Sequence, residues 1–98
     1  MSKKITEIPF WSYFVDCFPD KIEIYNQQDE TLITDEDWWV IARFYRTLLL
    51  VASDWSQVSD NSLSETQREA WRQYRQNLRD ITDTVTNPKN LVFPNEPS

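Results

Sequence analysis

The chain is 98 residues long, carries a formal net charge of −6 and contains neither glycine nor histidine. Without glycine there is no phosphate-cradling loop and no dinucleotide fingerprint, and without histidine the commonest general base and metal ligand are missing. A single cysteine, Cys17, excludes an intrachain disulfide and a multi-Cys zinc site, so neither an enzyme nor a cofactor- or metal-binding protein is expected.

The length allows one domain, or a small domain with an appendage, and a chain of this size is marginally stable alone. Five Trp, five Phe and four Tyr concentrate its burial energy in few side chains. A pI near 4.5 argues against general binding to nucleic acid. The charge is uneven. All six Arg lie between Arg43 and Arg79, whereas residues 1–36 hold three Lys against eight Asp and Glu. The basic start, Met-Ser-Lys-Lys, is followed by no apolar export region, and no run approaches the ~20 apolar residues of a membrane span. The chain is therefore expected to remain where it is made. No cation adjoins Cys17 between Asp16 and Phe18, so a structural thiol is expected there.

Residues 1–33 form an aromatic and strand-like segment. Phe10, Trp11, Tyr13, Phe14 and Phe18 cluster between Pro9 and Pro19. Lys21 to Tyr25 alternates polar and apolar as a half-buried strand does, and Thr31 to Ile33 reads as a second strand pairing back. A short β-hairpin, packed on helices, is the expectation.

Residues 34–86 read as a helical hairpin. Thr34 caps a first long helix from Asp35 to about Ser53, with Asp35, Glu36 and Asp37 at its positive end; Asp37 stands where a capping box would place Glu or Gln. A metal site at these three acids is not expected. Trp38, Ile41, Tyr45, Leu48, Ala52 and Trp55 form one apolar stripe, widened by Phe44, Val51 and Leu49. Asp54 to Leu63 is a polar turn. Asp54-Trp55-Ser56-Gln57 reads as a helix stop whose Trp55 folds back onto the core. Ser64 and Gln67 then make a capping box with Leu63 in the staple position. The second helix carries an apolar stripe, Trp71, Tyr74, Leu78 and Ile81. Arg68, Arg72, Arg75 and Arg79 form a second stripe roughly 110° away. Asn87-Pro88 ends it, and residues 87–98 form an extended Pro-containing tail whose Leu91, Val92 and Phe93 dock on protein.

Two surfaces are candidates for partner binding. Trp39, Arg43, Arg46 and Leu50 share one side of the first helix, away from its main stripe, in the composition of an interaction hot spot. The arginine stripe either pairs within its own helix with Glu65, Glu69 and Asp80 or holds carboxylates of the N-terminal third or of a partner.

The order of three motifs adds a resemblance. The Asp54-Trp55-Ser56-Gln57 turn, the helix bearing Trp71, Tyr74-Arg75-Gln76 and Leu78-Arg79-Asp80, and the Phe93-Pro94 to Pro97 tail closely resemble the bacteriophage tail assembly chaperone family over about residues 43–97. That family pairs a DW(S/T)Q turn with a WxxYRQxLRD helix and a (W/F)PxxP tail. Residues 1–33 lie outside the resemblance. On it, Asp54, Trp55, Gln57, Trp71, Tyr74, Arg75, Leu78, Arg79, Phe93 and Pro94 are the motif positions. It implies a phage protein of tail morphogenesis that binds unassembled tail components without nucleotide hydrolysis, in the cytoplasm of the infected host. The partners implied are tail proteins (tube, tape measure, fibre or baseplate); separately, the limited burial of so short a chain leaves room for self-association as a homo-oligomer. The alternative is a small structural component of the virion tail, an adaptor on fibre or baseplate. The expected fold is mainly α: the antiparallel hairpin, the N-terminal aromatic and β-hairpin segment, and the extended tail.

Overall fold

A computed structural model describes residues 3–58 and 60–97. Met1 and Ser2 of the basic start, Ser59 of the polar turn and Ser98 of the tail lie outside the described residues. Four α-helices follow in chain order: α1 (Phe10–Cys17), α2 (Ile22–Gln27), α3 (Asp35–Ala52) and α4 (Glu65–Asp80). Two short strands, β1 (Lys3–Lys4) and β2 (Val92–Phe93), pair antiparallel with Lys3 opposite Phe93 and Lys4 opposite Val92. The fold is mainly α.

α3 and α4 form the expected hairpin. Three contacts give its direction. Arg46 donates to the Arg79 carbonyl at 3.4 Å, Arg75 donates to the Leu50 carbonyl at 2.7 Å, and the rings of Trp55 and Trp71 meet edge-on at 5.1 Å. Positions rise along one helix as they fall along the other, so the pair is antiparallel. Both helix starts follow from their caps. The Thr34 hydroxyl accepts from the Asp37 amide at 3.2 Å, and Ser64 and Gln67 bond reciprocally in a capping box. Asp37 does not complete a box of its own. Its buried carboxylate instead accepts from Lys21 at 3.0 Å, tying α3 to the segment before α2.

The expected N-terminal β-hairpin is not formed. Lys21 to Tyr25 lies in a 3-10 turn (Pro19–Lys21) running into α2, and Thr31 to Ile33 lies at a second 3-10 turn (Glu30–Leu32). The alternation fails as a strand signal because adjacent residues, Ile24 and Tyr25, both pack on the core while Ile22 is exposed. A strand cannot turn neighbouring side chains to one side, but a helix can. Gln28 ends α2 in the left-handed region at φ 53°, and its side chain donates to the Tyr25 carbonyl at 3.0 Å. With no glycine in the chain, that local hydrogen bond helps offset the cost of a left-handed non-Gly residue. Asp29 then caps the next turn through Thr31, whose hydroxyl and amide bonds hold the Asp29 carboxyl below the usual carboxylate range.

One buried cluster draws on every part of the chain. Ile5, Ile8, Phe10, Phe14 and Ile33 meet Trp38, Ile41 and Ala42 of α3, Trp71, Tyr74 and Leu78 of α4, and Ile81, Leu91 and Phe93 beyond it. The tail docks as expected for Leu91 and Phe93, both fully or almost fully buried, while Val92 between them is exposed. That is the alternation of a strand, and it pairs with the N-terminal segment rather than crossing the hairpin alone. The Ile5 amide donates to the Leu91 carbonyl at 2.9 Å, which locks both ends of the chain together.

Two assignments to the core need correction. Leu48 is 40% and Trp55 48% exposed. The ring contacts of α1 with α3 reach Trp38, Phe44 and Tyr45 and go no farther along the helix among the described residues. Beyond Tyr45, α4 lies along α3 through the Arg46–Arg79 and Leu50–Arg75 contacts, and Leu49 lines a groove with Phe93 and Pro94 of the tail.

Candidate interaction surface

The Asp54–Gln57 segment is a 3-10 turn that ends α3 and aims Trp55 across the hairpin. Side chains hold it. Ser53 donates to the Leu49 carbonyl at 2.9 Å and Ser56 to the Ser53 carbonyl at 2.6 Å. Asn61 donates to the carbonyls of Trp55 and Ser56 at 3.1 and 3.2 Å, and Gln57 reaches the Ser56 hydroxyl at 3.1 Å. Helix-end carbonyls that would need water are thereby satisfied inside the chain.

Arg75 is the anchor of this end. Its guanidinium, reaching over from α4, donates to the Leu50 carbonyl at 2.7 Å and the Ser53 hydroxyl at 2.8 Å, and pairs with Asp54 at 2.9 Å. Its side chain is only 10% exposed, so this member of the arginine stripe is taken up by the hairpin itself. The cation sits against the negative end of α3.

The other candidates lie apart from one another. Trp39 and Leu50 are half-buried and pack against the core, whereas Arg43 is exposed. Arg46 crosses to the Arg79 carbonyl, and the Arg79 side chain is exposed. Arg68 donates to the carbonyls of Leu63 and Asn61 at 3.2 and 3.3 Å, and Arg72 pairs with Glu69 on its own helix. The stripe thus mixes structural arginines with a solvated, internally paired one.

A different surface emerges. Leu48, Val51, Trp55 and Val58 are all exposed, Val51 to 63%, along the outer side of α3 and its turn. Leu48 and Val51 lie roughly 100° around α3 from the buried stripe, and Trp55 and Val58 follow in and after the turn that ends the helix. The unusual breadth of the apolar face, about half the helix circumference, was the sequence signal for it: a helix covered on one side needs only one stripe.

A groove of about 380 Å³ runs between the helices and the tail, lined by Tyr45, Leu49, Tyr74, Phe93, Pro94 and Glu96 among others. Tyr74 is buried to 3% exposure, and its hydroxyl has no partner. Burial, then the nearby Glu96 and Tyr45, push its ionisation up to about 12. Cys17, half-buried, is likewise pushed up by burial and then by Asp16, which makes it a poor nucleophile. Among the described residues no cluster of three or more metal-ligating side chains is present, and no helix is long and apolar enough to cross a membrane.

Residues 39–98 match the family model described as phage tail assembly chaperone protein. The chain belongs to the phage tail assembly chaperone family. Comparison with curated proteins and with solved structures gave no match. As a member of that family the chain has a role in tail assembly, and the geometry gives its motif residues physical work. The Asp54–Arg75 ion pair and the Trp55–Trp71 contact tie the DWSQ turn to the WxxYRQ helix. Phe93 of the tail meets Tyr45 edge-on at 4.8 Å. Leu78 is fully buried. Trp38 and the buried residues of the N-terminal third complete the core from outside the matched segment.

Proposed function

We propose that this chain binds unassembled tail proteins through reversible burial of apolar surface and releases them as the tail forms. The observation that carries this is the exposed row Leu48, Val51, Trp55 and Val58, which has the chemistry of a transient docking face on a member of an assembly-chaperone family. A glycine-free chain has no phosphate loop with which to couple release to nucleotide hydrolysis, so release follows from competition by the growing tail. The partners in this reading are tail proteins, and the site of action is the cytoplasm of the infected cell.

Quantitative mass spectrometry of purified virions beside the infected-cell lysate tests it. The expected result is a chain abundant in lysate and missing from mature particles. A fixed copy number relative to tail proteins would make it a structural part of the tail instead.

A further inference from the structure

The groove between the helices and the tail collects oxygens that the fold does not use. Tyr74 lines it, is 3% exposed, and its hydroxyl has no partner. Tyr45 and Glu96 line the same groove. After burial, the Glu96 carboxylate and then the Tyr45 phenol raise the ionisation of Tyr74, so its hydroxyl lies on the side of the ring where those two groups stand. Glu96 also acts on Tyr45, after burial and Tyr13. Glu96 itself is exposed and pairs with no cation among the described residues. Two phenol oxygens and a carboxylate therefore converge on one space of about 380 Å³.

These three groups suit a ligand that donates. An ionised carboxylate only accepts, and a phenol oxygen accepts while its own proton turns to the carboxylate. An orphaned buried hydroxyl costs the free chain stability, and a ligand that bonds it recovers that cost on binding. The walls are aromatic and aliphatic: Phe93 meets Tyr45 edge-on at 4.8 Å, and Leu49 and Pro94 lie beside them. A flat, weakly hydrated guanidinium with five N–H donors suits such walls and several acceptors at once. An ammonium is a compact, strongly hydrated point charge with only three donors. The volume is near the lower end of ligand sites, about 300–1,000 Å³, and gives room for one long side chain. Lys3 is the cation among the described lining residues. It is exposed, stands opposite Phe93 in the strand pair, and has a long stem that lets its ammonium turn to water. The net charge of −6 favours the approach of a basic partner over an acidic one or a second copy.

We infer that this groove is a docking pocket for an arginine side chain of a partner protein, its guanidinium bonded to Glu96 and to the Tyr45 and Tyr74 hydroxyls and set against the aromatic wall. The pocket rests on the assembly reading for its purpose, since the partner that presents the arginine is then a tail component. An exposed apolar row accepts many surfaces, whereas a pocket that demands a guanidinium selects among them.

Nuclear magnetic resonance titration of the full chain with the blocked pentapeptide Ala-Ala-Arg-Ala-Ala tests the pocket. Shifts should concentrate at Tyr45, Leu49, Tyr74, Phe93 and Glu96, with a dissociation constant on the order of 1 mM, as a single anchoring side chain gives. Replacing the arginine by citrulline, its neutral isostere, or by glutamate should abolish binding, and lysine should weaken it several-fold. Glu96→Gln should weaken binding of the arginine peptide about tenfold at an unchanged circular dichroism spectrum, because Glu96 is exposed. Tyr74→Phe should weaken it several-fold although the free chain is no less stable. Glu65→Gln, at an exposed acid on α4 outside the groove lining, should leave binding as it was. An arginine peptide that shifts none of the lining residues, equal binding of the lysine or citrulline peptide, or tighter binding of the glutamate peptide would overturn the proposal. So would a Glu96→Gln variant that binds like the wild type or like Glu65→Gln. Unchanged binding by Tyr74→Phe would overturn the part given to its hydroxyl. The peptide binds or fails whether or not the chain is left out of the virion, so the pocket and the chaperone reading fail separately.

Discussion

Arg75 and Asp54 form an asymmetric ion pair: at 2.9 Å, the guanidinium side chain is 10% exposed and the carboxylate side chain 63%. The arginine also holds the Leu50 carbonyl and the Ser53 hydroxyl, so it stops α3 as well as neutralising an acid. The two partners should therefore differ in cost. Arg75→Ala is expected to lose about 2–4 kcal/mol, since it strips partners from buried helix-end groups. Asp54→Ala should lose about 1 kcal/mol or less, as a solvent-screened partner. Arg75→Lys should recover only part of the loss, lacking the fork that reaches two acceptors and a carboxylate together. Urea denaturation of the three variants checks this, and equal costs at the two positions would show that the ion pair rather than the cap is the anchor.

Trp55 and Trp71 meet edge-on at 5.1 Å but have opposite environments, Trp55 being 48% and Trp71 8% exposed. Trp71→Ala should cost about 3–5 kcal/mol, the usual range for deleting a buried aromatic. Trp55→Ala should cost about 1 kcal/mol, mostly the lost ring contact. If Trp55 serves as a docking side chain, its loss should weaken association far more than folding. Thermal melts alongside sedimentation separate the two effects.

What could be read in the sequence was whatever local chemistry alone decides. Thr34 and the Ser64–Gln67 capping box mark helix starts that depend on neighbours three residues away, and both hold. Trp71, Tyr74, Leu78 and Ile81 form one narrow stripe and all are buried. The failures came where a distant element decides. Leu48 and Trp55 continue the stripe of Trp38 and Ile41, but whether α1 extends far enough to cover them is not written in α3. Ile22 and Ile24 alternate like a strand, yet Lys21 is drawn to Asp37 and the segment coils. Arg75 resembles its three stripe neighbours in sequence, and only the position of the turn between α3 and α4 sets it apart.

Among the described residues Tyr74 is the one buried hydroxyl without a partner, and it lies near a second phenol, Tyr45, and the Glu96 carboxylate. Tyr74→Phe removes a desolvated donor and should be neutral or stabilising by up to about 1 kcal/mol at pH 7. Alkali should separate the two proteins further. The Tyr74 hydroxyl ionises near 10 when unfolded and only at about 12 when folded, so between these values the unfolded chain has lost a proton that the native one keeps. Its contribution to stability is therefore complete below pH 10 and declines from pH 10 to 12. The midpoint of urea denaturation should fall more steeply over that window in the wild type than in Tyr74→Phe. Parallel pH profiles would show that the hydroxyl is solvated in the native state.

Phe14 gives the sharpest test of the N-terminal third, which the family match does not cover. It is fully buried, with Trp11 and Phe18 against its ring at 5.4 and 5.1 Å. Phe14→Ala should cost about 3–5 kcal/mol. A chain of this length has about 5–15 kcal/mol in total, so that one substitution removes a large fraction of it. A chain beginning at Asp35 goes further. It loses Ile5, Ile8, Phe10, Phe14 and Ile33 from the single core and β1 from the pairing that holds Phe93. It should show helical signal without a cooperative melt, because Trp38 and Ile41 would face water. A sharp transition in residues 35–98 would mean that the matched segment folds alone and that the first third is an appendage.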